Sequence, residues 1–446
     1  MSVKIVNAKL FVCLVFFVLG SICGRSQEQT LSTVEAVALV LEQNLQIQVA
    51  DNTTAIAKEN TSRLNSGYLP TLDANASANY SNIFEQESEI NGATINVNDL
   101  ETSNYSAGLS LNYVLFDGMG RRYNYKTFQE RYALSALQTQ QVIENTLLQL
   151  FTVYYQVASF EETVTILRQT LAISKARLLR AERQFEFGQN TKLNILNARV
   201  DVNTDSINVM NGVQSLENAK RDLNLIINQP LETAYRVQTA VQFFPRIEME
   251  AYLNTSLENN VLLQQAKSAL NLTEIQEKAL LKNYLPTINL SGSYGWNRSN
   301  NGSISFMPFS NAISGSLGAA MRWSLFDGGK RKVLKATTKI EVENQELELE
   351  RQRLSLEKER KNQWSTYQNA YQVFEMQKLN VATTEDNFLR SQKNFELGQI
   401  TAIEYRQAQL NFIAAQINLR KAKYDAKLAE LQFLQLVGVL LDTKFL

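Results

Sequence analysis

The chain has 446 residues, and its 44 basic and 44 acidic side chains leave no formal net charge, which argues against a nucleic-acid partner. It contains no histidine and only two cysteines, Cys13 and Cys23. The commonest general base and the commonest zinc ligand are missing, so composition points away from an enzyme, a bound metal or a cofactor.

Residues 1–26 have the form of an export signal. Lys4 and Lys9 supply the charged start, Leu10 to Leu19 an apolar run, and Gly24-Arg25-Ser26 a small-x-small exit. A transmembrane anchor fits less well, because the run is about ten residues and a spanning helix needs roughly 20. Both cysteines fall inside this segment. Cys23 is a candidate lipidation site, although Ile22 before it is bulky for that signal. Cleavage would remove Lys4, Lys9 and Arg25 and no acid, leaving a net charge of −3 and no disulfide. No later segment approaches a spanning run of apolar residues, so no further transmembrane helix is expected.

Helix breakers are sparse in the rest of the chain. From Met119 to Ile227 the only glycines are Gly120, Gly188 and Gly212, and from Lys330 to Val437 the only one is Gly398. These stretches are rich in Leu, Gln, Glu, Ala, Lys and Arg, as long helices require. Leu147, Phe151 and Tyr154, then Val164, Leu167 and Leu171, form the stripe of a packed helix face. The expected helices cover 31–66, 119–186, 191–227, 247–283, 329–396 and 401–437. The longest would reach roughly 100 Å and the shorter ones roughly 55 Å, so they call for a coiled-coil bundle or tube.

Between the helices lie four segments with a period of two. Leu72, Ala74, Ala76, Ala78 and Tyr80 alternate with Thr71, Asp73, Asn75, Ser77 and Asn79. Tyr105, Ala107, Leu109, Leu111 and Tyr113 alternate with Ser106, Gly108, Ser110 and Asn112. Ile288, Leu290, Tyr294 and Trp296 oppose Asn289, Ser291, Ser293 and Asn297, while Ile313, Leu317, Ala319, Met321 and Trp323 oppose Ser314, Ser316, Gly318, Ala320 and Arg322. Segments of about 9–11 residues with one apolar face and aromatics near their ends suit outer-membrane strands. A soluble sheet with one face against the helices is the other reading of the same pattern. Residues 82–103, which are polar and acidic, and 298–312, rich in Asn and Ser, are expected to be exposed loops.

The order repeats. Leu115-Phe116-Asp117-Gly118 returns 210 residues on as Leu325-Phe326-Asp327-Gly328, and Phe185-Glu186-Phe187-Gly188-Gln189 at the same offset as Phe395-Glu396-Leu397-Gly398-Gln399. Tyr68-Leu69-Pro70-Thr71 returns 216 residues on as Tyr284-Leu285-Pro286-Thr287. One structural unit is built twice. The expected layout is a first repeat over 27–229 (helix, two strands, long helical hairpin), a connector over 230–246, a second repeat over 247–440 and a tail over 441–446. The fold class is mainly α with a transmembrane β portion. Four strands cannot close a barrel, and an open sheet edge is untenable in hydrocarbon, so closure needs further copies. Three copies would make a 12-stranded barrel with a wet lumen, continued by a helical tube.

The chain resembles the TolC-like outer-membrane efflux proteins of double-membraned bacteria. The resemblance rests on Leu31-Ser32 with Glu35-Ala36-Val37 and Glu42-Gln43-Asn44, on Tyr68-Leu69-Pro70, and on Leu115-Phe116-Asp117-Gly118. It continues through Trp323-Ser324-Leu325-Phe326-Asp327-Gly328-Gly329 and Leu193-Asn194-Ile195-Leu196-Asn197-Ala198-Arg199. It implies a homotrimer in the outer membrane that extends into the periplasm, with a periplasmic adaptor and an inner-membrane pump as partners and passive transport in this subunit.

Asp117-Gly118 and Asp327-Gly328 each close a strand before a helix, and are read as turn and N-cap residues. Pro70 and Pro286 mark the opposite corners. Gly188 and Gly398 are expected in the left-handed conformation at helix ends. With Gln189 and Gln399 they would, by the resemblance, form the periplasmic tip that meets the adaptor. Glu404 falls where the family places an acid ringing the tunnel entrance, which would favour cations; it reads equally as a solvated helix acid beside Arg406. Asn194 occupies the matching position of the first copy, without charge. Phe395 and Ile400 stand where some members carry the tyrosine and arginine that tie the closed tip, so closure here would draw on Lys192, Gln189 and Gln399. The expected role is an exit duct for tripartite efflux or type I secretion. The alternative is a trimeric, barrel-anchored periplasmic coiled-coil spacer without transport. A hydrolase is disfavoured by the lack of histidine and of a nucleophile motif.

Overall fold

A computed structural model describes residues 30–90, 92–254, 257–302 and 307–442. The expected export signal with Cys13 and Cys23, and residues 443–446 of the expected tail, lie outside the described residues. In chain order the elements are β1 (Thr30–Leu31), α1 (Thr33–Gln43), α2 (Leu45–Asn60), β2 (Thr71–Ile90), β3 (Ala93–Phe116), α3 (Gly120–Glu186) and α4 (Lys192–Ile226). There follow β4 (Arg236–Val237), α5 (Arg246–Leu253), α6 (Val261–Ala279), β5 (Thr287–Asn300), β6 (Phe309–Arg322), α7 (Lys330–Glu396) and α8 (Ala402–Leu436). Among the described residues no helix is long and apolar enough to cross a membrane. The chain divides into two compact units, each drawing on both halves of the sequence.

The first unit holds the described residues up to Val49, with Gln140–Asn260 and Ser355 onward. Its core is the stripe read from the sequence: Leu147, Phe151 and Tyr154 are at most 2% exposed, and pack with Val40, Leu223, Phe433 and Leu434. Burying each such side chain is worth about 1.5–3 kcal/mol. The Tyr154 hydroxyl donates to the Leu31 carbonyl at 2.7 Å and accepts from the Gln238 N–H at 2.9 Å, which fixes the short parallel pair β1–β4 beside the core. The connector is tied to α8 by polar groups. Glu430, fully buried, accepts from the Phe244 N–H at 3.0 Å and pairs with Lys427, whose ammonium also donates to the Gln242 carbonyl at 2.7 Å. Burial pushes the Glu430 carboxyl up, against the pull of Lys427 and the Phe244 N–H.

Two expected helices are broken. The span 31–66 is α1 and α2 with a 3-10 turn at Arg63–Ser66, and 247–283 is α5 and α6 with 3-10 turns at Leu257–Asn259 and Leu280–Tyr284. Asn44 makes the first break. Its backbone turns extended, its Oδ1 accepts from the Gln46 and Ile47 N–H groups, and its Nδ2 donates to the Ile226 carbonyl at 2.9 Å. It thus caps the start of one helix and the end of another. Asn260, its counterpart 216 residues on, donates likewise to the Leu436 carbonyl at 2.8 Å.

The second unit comprises Ala50–Thr139 and Val261–Leu354. Its sheet is antiparallel in the order β2-β3-β5-β6, so β2 and β6 are the edges. The register places Ala74, Leu109, Tyr294 and Gly315 in one row and Leu72, Leu111, Gly292 and Leu317 in the next, so apolar residues share one face across all four strands. On the other face Ser77 meets Ser106 and Ser293 meets Ser316, each pair of hydroxyls 2.8 Å apart.

The residues read as an exposed loop over 82–103 are mostly strand. β2 and β3 stay in register from Thr71↔Asn112 to Ile90↔Ala93, while β3 pairs with β5 only as far as Ser103↔Asn300. Beyond that rung the two strands, among the described residues, pair only with each other, as a ribbon. In the second hairpin β5 runs to Asn300 and β6 starts at Phe309, so the expected loop 298–312 is shorter at both ends. Trp323, assigned to the last strand, lies one residue past its end.

Candidate functional site

Two turns in the first unit repeat each other closely. After α3, Gly188 adopts φ 72°, the Gly188 N–H donates to the Phe185 carbonyl at 2.9 Å and the Gln189 N–H to the Gln184 carbonyl at 2.8 Å. After α7, Gly398 adopts φ 74°, with bonds from Gly398 to Phe395 at 3.1 Å and from Gln399 to Asn394 at 2.8 Å. Nothing lies within 4 Å of a Cβ at either glycine, so the left-handed backbone and not crowding selects them. The next helices start on threonine caps, Thr191 and Thr401.

Glu404 and Asn194 occupy the third position of those caps, with different chemistry. Glu404 Oε2 accepts from the Thr401 N–H at 2.8 Å and hydroxyl at 2.9 Å, completing a capping box. Those bonds, the backbone one foremost, hold its carboxyl below the usual range. Asn194 turns to Asn190, Nδ2 to Oδ1 at 2.5 Å. Phe395 stacks on Tyr405 at 5.0 Å between centroids, and Tyr405 stacks on Phe388 at 5.7 Å. A cavity of about 760 Å³ brings Asn194, Gln189, Phe395, Gly398 and Ile400 together with Arg180; Glu404 is not among its lining residues.

Beneath the turns lies a polar cluster that the sequence reading missed. Arg406 grips Asp205 with both terminal nitrogens, at 2.7 and 3.0 Å, while the Ser174 hydroxyl donates to Asp205 at 2.6 Å. Arg406 Nε lies 3.5 Å from Asp201, which also pairs with Arg177. The Asp205 and Arg406 side chains are 4% and 11% exposed. Arg406 is therefore turned to α4, while Glu404 stays exposed on its cap. Each charge alone resembles an ordinary helix-surface residue; the Asp201–Asp205 spacing of four on one helix face was the available sign.

The strand-to-helix corners of the second unit are also duplicated. Asp117 Oδ2 accepts from the Arg121 N–H at 2.6 Å, and the Arg121 side chain donates to the Leu115 carbonyl at 3.2 Å and lies over the Tyr68 ring at 5.2 Å. Asp327 accepts from the Arg331 and Gly329 N–H groups at 2.9 and 3.1 Å, and Arg331 donates to the Leu325 carbonyl at 3.2 Å and covers the Tyr284 ring at 5.2 Å. Gly118 and Gly328 both take positive φ between strand and helix. The arginine four residues after each Asp-Gly aspartate was the signal that went unread.

The family model for outer membrane efflux proteins matches residues 36–229 and 252–439. The chain belongs to that family. It is an outer-membrane protein, as its family is. It is similar to the outer membrane efflux protein BepC of Brucella suis biovar 1 (strain 1330), 21% identical over 340 residues that cover 75% of this chain and 72% of that one. It is 27% identical over 293 residues to the outer membrane protein TolC of Escherichia coli (strain K12), covering 64% of this chain and 56% of TolC, so the match spans little more than half of that relative. The fold matches the Campylobacter jejuni CmeC outer membrane channel with a TM-score of 0.73 at 14% identity, over 92% of this chain and 86% of CmeC.

Proposed function

We propose that three copies of this chain form a passive exit duct through the outer membrane for substrates of a tripartite efflux pump or a type I secretion system. The observation that supports this most is the open sheet: apolar on one face across four strands, Ser, Asn, Thr and Gly on the other, with both edges unpaired among the described residues. Such edges have to be closed in hydrocarbon, and three copies of a four-stranded sheet give a 12-stranded barrel with a dry outside and a wet inside. A seam on α7 points the same way. Val333, Ile340, Leu347 and Leu354 recur every seven residues and are 64, 55, 69 and 57% exposed, as expected of a coiled-coil stripe that another chain covers. In this reading the repeats 27–229 and 247–440, joined by the connector 230–246, supply helical hairpins to a periplasmic tunnel. The turns at Gly188-Gln189 and Gly398-Gln399 meet an adaptor protein, with an inner-membrane pump beyond it. The relatives are efflux proteins and channels by name, which gives the spacer reading no support.

Native mass measurement of the detergent-extracted protein is expected to give a trimer, and planar bilayers to show ion conduction. A stable monomer, or a trimer that conducts nothing, contradicts the proposal. Within it, the three copies of Glu404 converge on the entrance and favour cations. Glutamine also serves at the third position of a capping box, so Glu404→Gln removes the charge and keeps the helix start. Cation selectivity and block by divalent ions are expected to fall with trimer yield unchanged, and Asn194→Asp is expected to raise both. If neither substitution moves them, Glu404 works only as a cap.

A further inference from the structure

The duplication extends to the register of the sheet. Thr71↔Asn112 in the first hairpin matches Thr287↔Arg322 in the second, so β2 maps onto β5 at an offset of 216 and β3 onto β6 at 210. The joint between β3 and β5 therefore has a counterpart that a single chain cannot make, between its β6 and the β2 of another copy. Inside the chain, Asn112 faces Ser291, Tyr113 faces Leu290, Val114 faces Asn289 and Phe116 faces Ile288. We infer that the seam between copies repeats this register, with Arg322 opposite Asn75 of the partner subunit, Trp323 opposite the partner's Ala74 and Ser324 opposite the partner's Asp73. This rests on the reading of the protein as a closed oligomeric barrel and assigns which residues close it.

Three features of the single chain carry the inference. The first is strand length. β3 runs on to Phe116, past the last rung it shares with β2 at Asn112, because β5 holds those residues. β6 stops at Arg322, where its rungs with β5 stop, and among the described residues no strand neighbours the equivalent residues that follow. Trp323, Leu325 and Phe326 are left 52, 76 and 86% exposed.

The second is the match of faces. The mapped register sets Leu317 against Tyr80, Ile313 against Phe84 and Met321 against Ala76, apolar with apolar. The four largest of these, Leu317, Tyr80, Ile313 and Phe84, are 75, 66, 68 and 75% exposed in the single chain. A slip by one residue would set each of them opposite a position of the wet face.

The third is charge. At the internal joint the two critical wet-face positions are asparagines, Asn112 and Asn289. Their counterparts at the open edges are Arg322 and Asp73, the only charged residues on the polar face over this stretch of sheet. Neither side chain has an ion pair among the described residues. In the inferred register Asp73 lies diagonally next to Arg322 of the adjoining copy, within reach of a long side chain. Opposite charges placed on the two free edges, where the internal joint has amides, select the correct edge and its register.

Cysteine cross-linking tests the register directly, in full-length protein carrying Cys13→Ser and Cys23→Ser. Two neighbouring rungs are probed, Met321→Cys with Ala76→Cys and Ala320→Cys with Ser77→Cys. In an antiparallel pair one of two adjacent rungs is the closer, non-hydrogen-bonded type suited to a disulfide. On oxidation, covalent dimers and trimers are expected from at least one of these pairs and not from single cysteines. Met321→Cys with Ala74→Cys or with Ala78→Cys, each two residues out of register, should give little. Stronger cross-linking from an out-of-register pair, or none from any pair in a protein that native mass shows to be trimeric, overturns the register and leaves the duct reading standing. A protein that is not trimeric overturns both. Separately, Arg322→Asp and Asp73→Arg are each expected to lower the temperature at which the trimer dissociates in detergent, and to restore it when combined. A double variant no better than the singles overturns the charge pairing.

Discussion

Replacing Asp205 with alanine is expected to destabilise the protein by about 3 kcal/mol, the low end of the range for breaking a buried ion pair. The loss comes from what is left behind. Arg406 is 11% exposed and gives both terminal nitrogens to Asp205, and the Ser174 hydroxyl donates to the same carboxylate. Without it a guanidinium stays buried with Gln409 at 3.0 Å, the Ser174 hydroxyl at 3.4 Å and Asp201 at 3.5 Å to answer its charge. Those three partners keep the effect from being larger. The double replacement Asp205→Leu with Arg406→Met is expected to recover most of the loss, since apolar groups of similar size need no partners. Thermal unfolding of the detergent-extracted protein followed by circular dichroism reads both. An unchanged midpoint for Asp205→Ala would mean that water reaches this cluster.

The second large effect lies in the sheet. Leu109 faces Ala74 on one side and Tyr294 on the other, in the middle of the apolar face. Arginine there is expected to cost about 2–4 kcal/mol, the penalty for a cation on the lipid face near the bilayer midplane. Ser110, one residue on, faces Asp73 and Ser293 on the polar side, where an added cation meets water and a carboxylate. Ser110→Arg should leave refolding into lipid vesicles within about 0.5 kcal/mol of the parent, the range for changes that strand neither charge nor cavity. Equal losses from the two substitutions, measured by denaturant titration in vesicles, would mean that the two faces do not see different solvents.

The parts of the fold that sequence revealed are those where burial and period coincide. The stripe at Leu147, Phe151 and Tyr154 is core, and the alternation from Leu72 to Tyr80 does face one way. The misreadings occur where backbone hydrogen bonding continues without a change in hydrophobicity. Residues 82–103 looked like a loop for their acids, although Ala93, Ile95 and Val97 alternate with Thr94, Asn96 and Asn98, and the ladder of rungs goes on to Ile90↔Ala93. Asn44 broke a helix with no glycine or proline to announce it, using a side chain that mimics two backbone groups at once. In the candidate site the glycine turns are local and therefore visible. The Arg406–Asp205 contact joins residues 201 positions apart, a pairing that no local pattern encodes.

Beyond the last rung with β5 and beyond the inferred seam, the tip of the ribbon presents bare edges to the outside of the cell in the proposed topology. Bare edges are templates on which further strands can add, from neighbouring molecules as well as from the same one. Residues 82–102 carry Glu85, Glu87, Glu89, Asp99 and Glu101 and no basic residue. Like charges brought rung to rung repel, so any two ribbons that approach edge to edge are pushed apart. The acids that made this segment look like a loop thus act as its protection against aggregation, keeping a long exposed hairpin from zipping onto its neighbours in a crowded membrane.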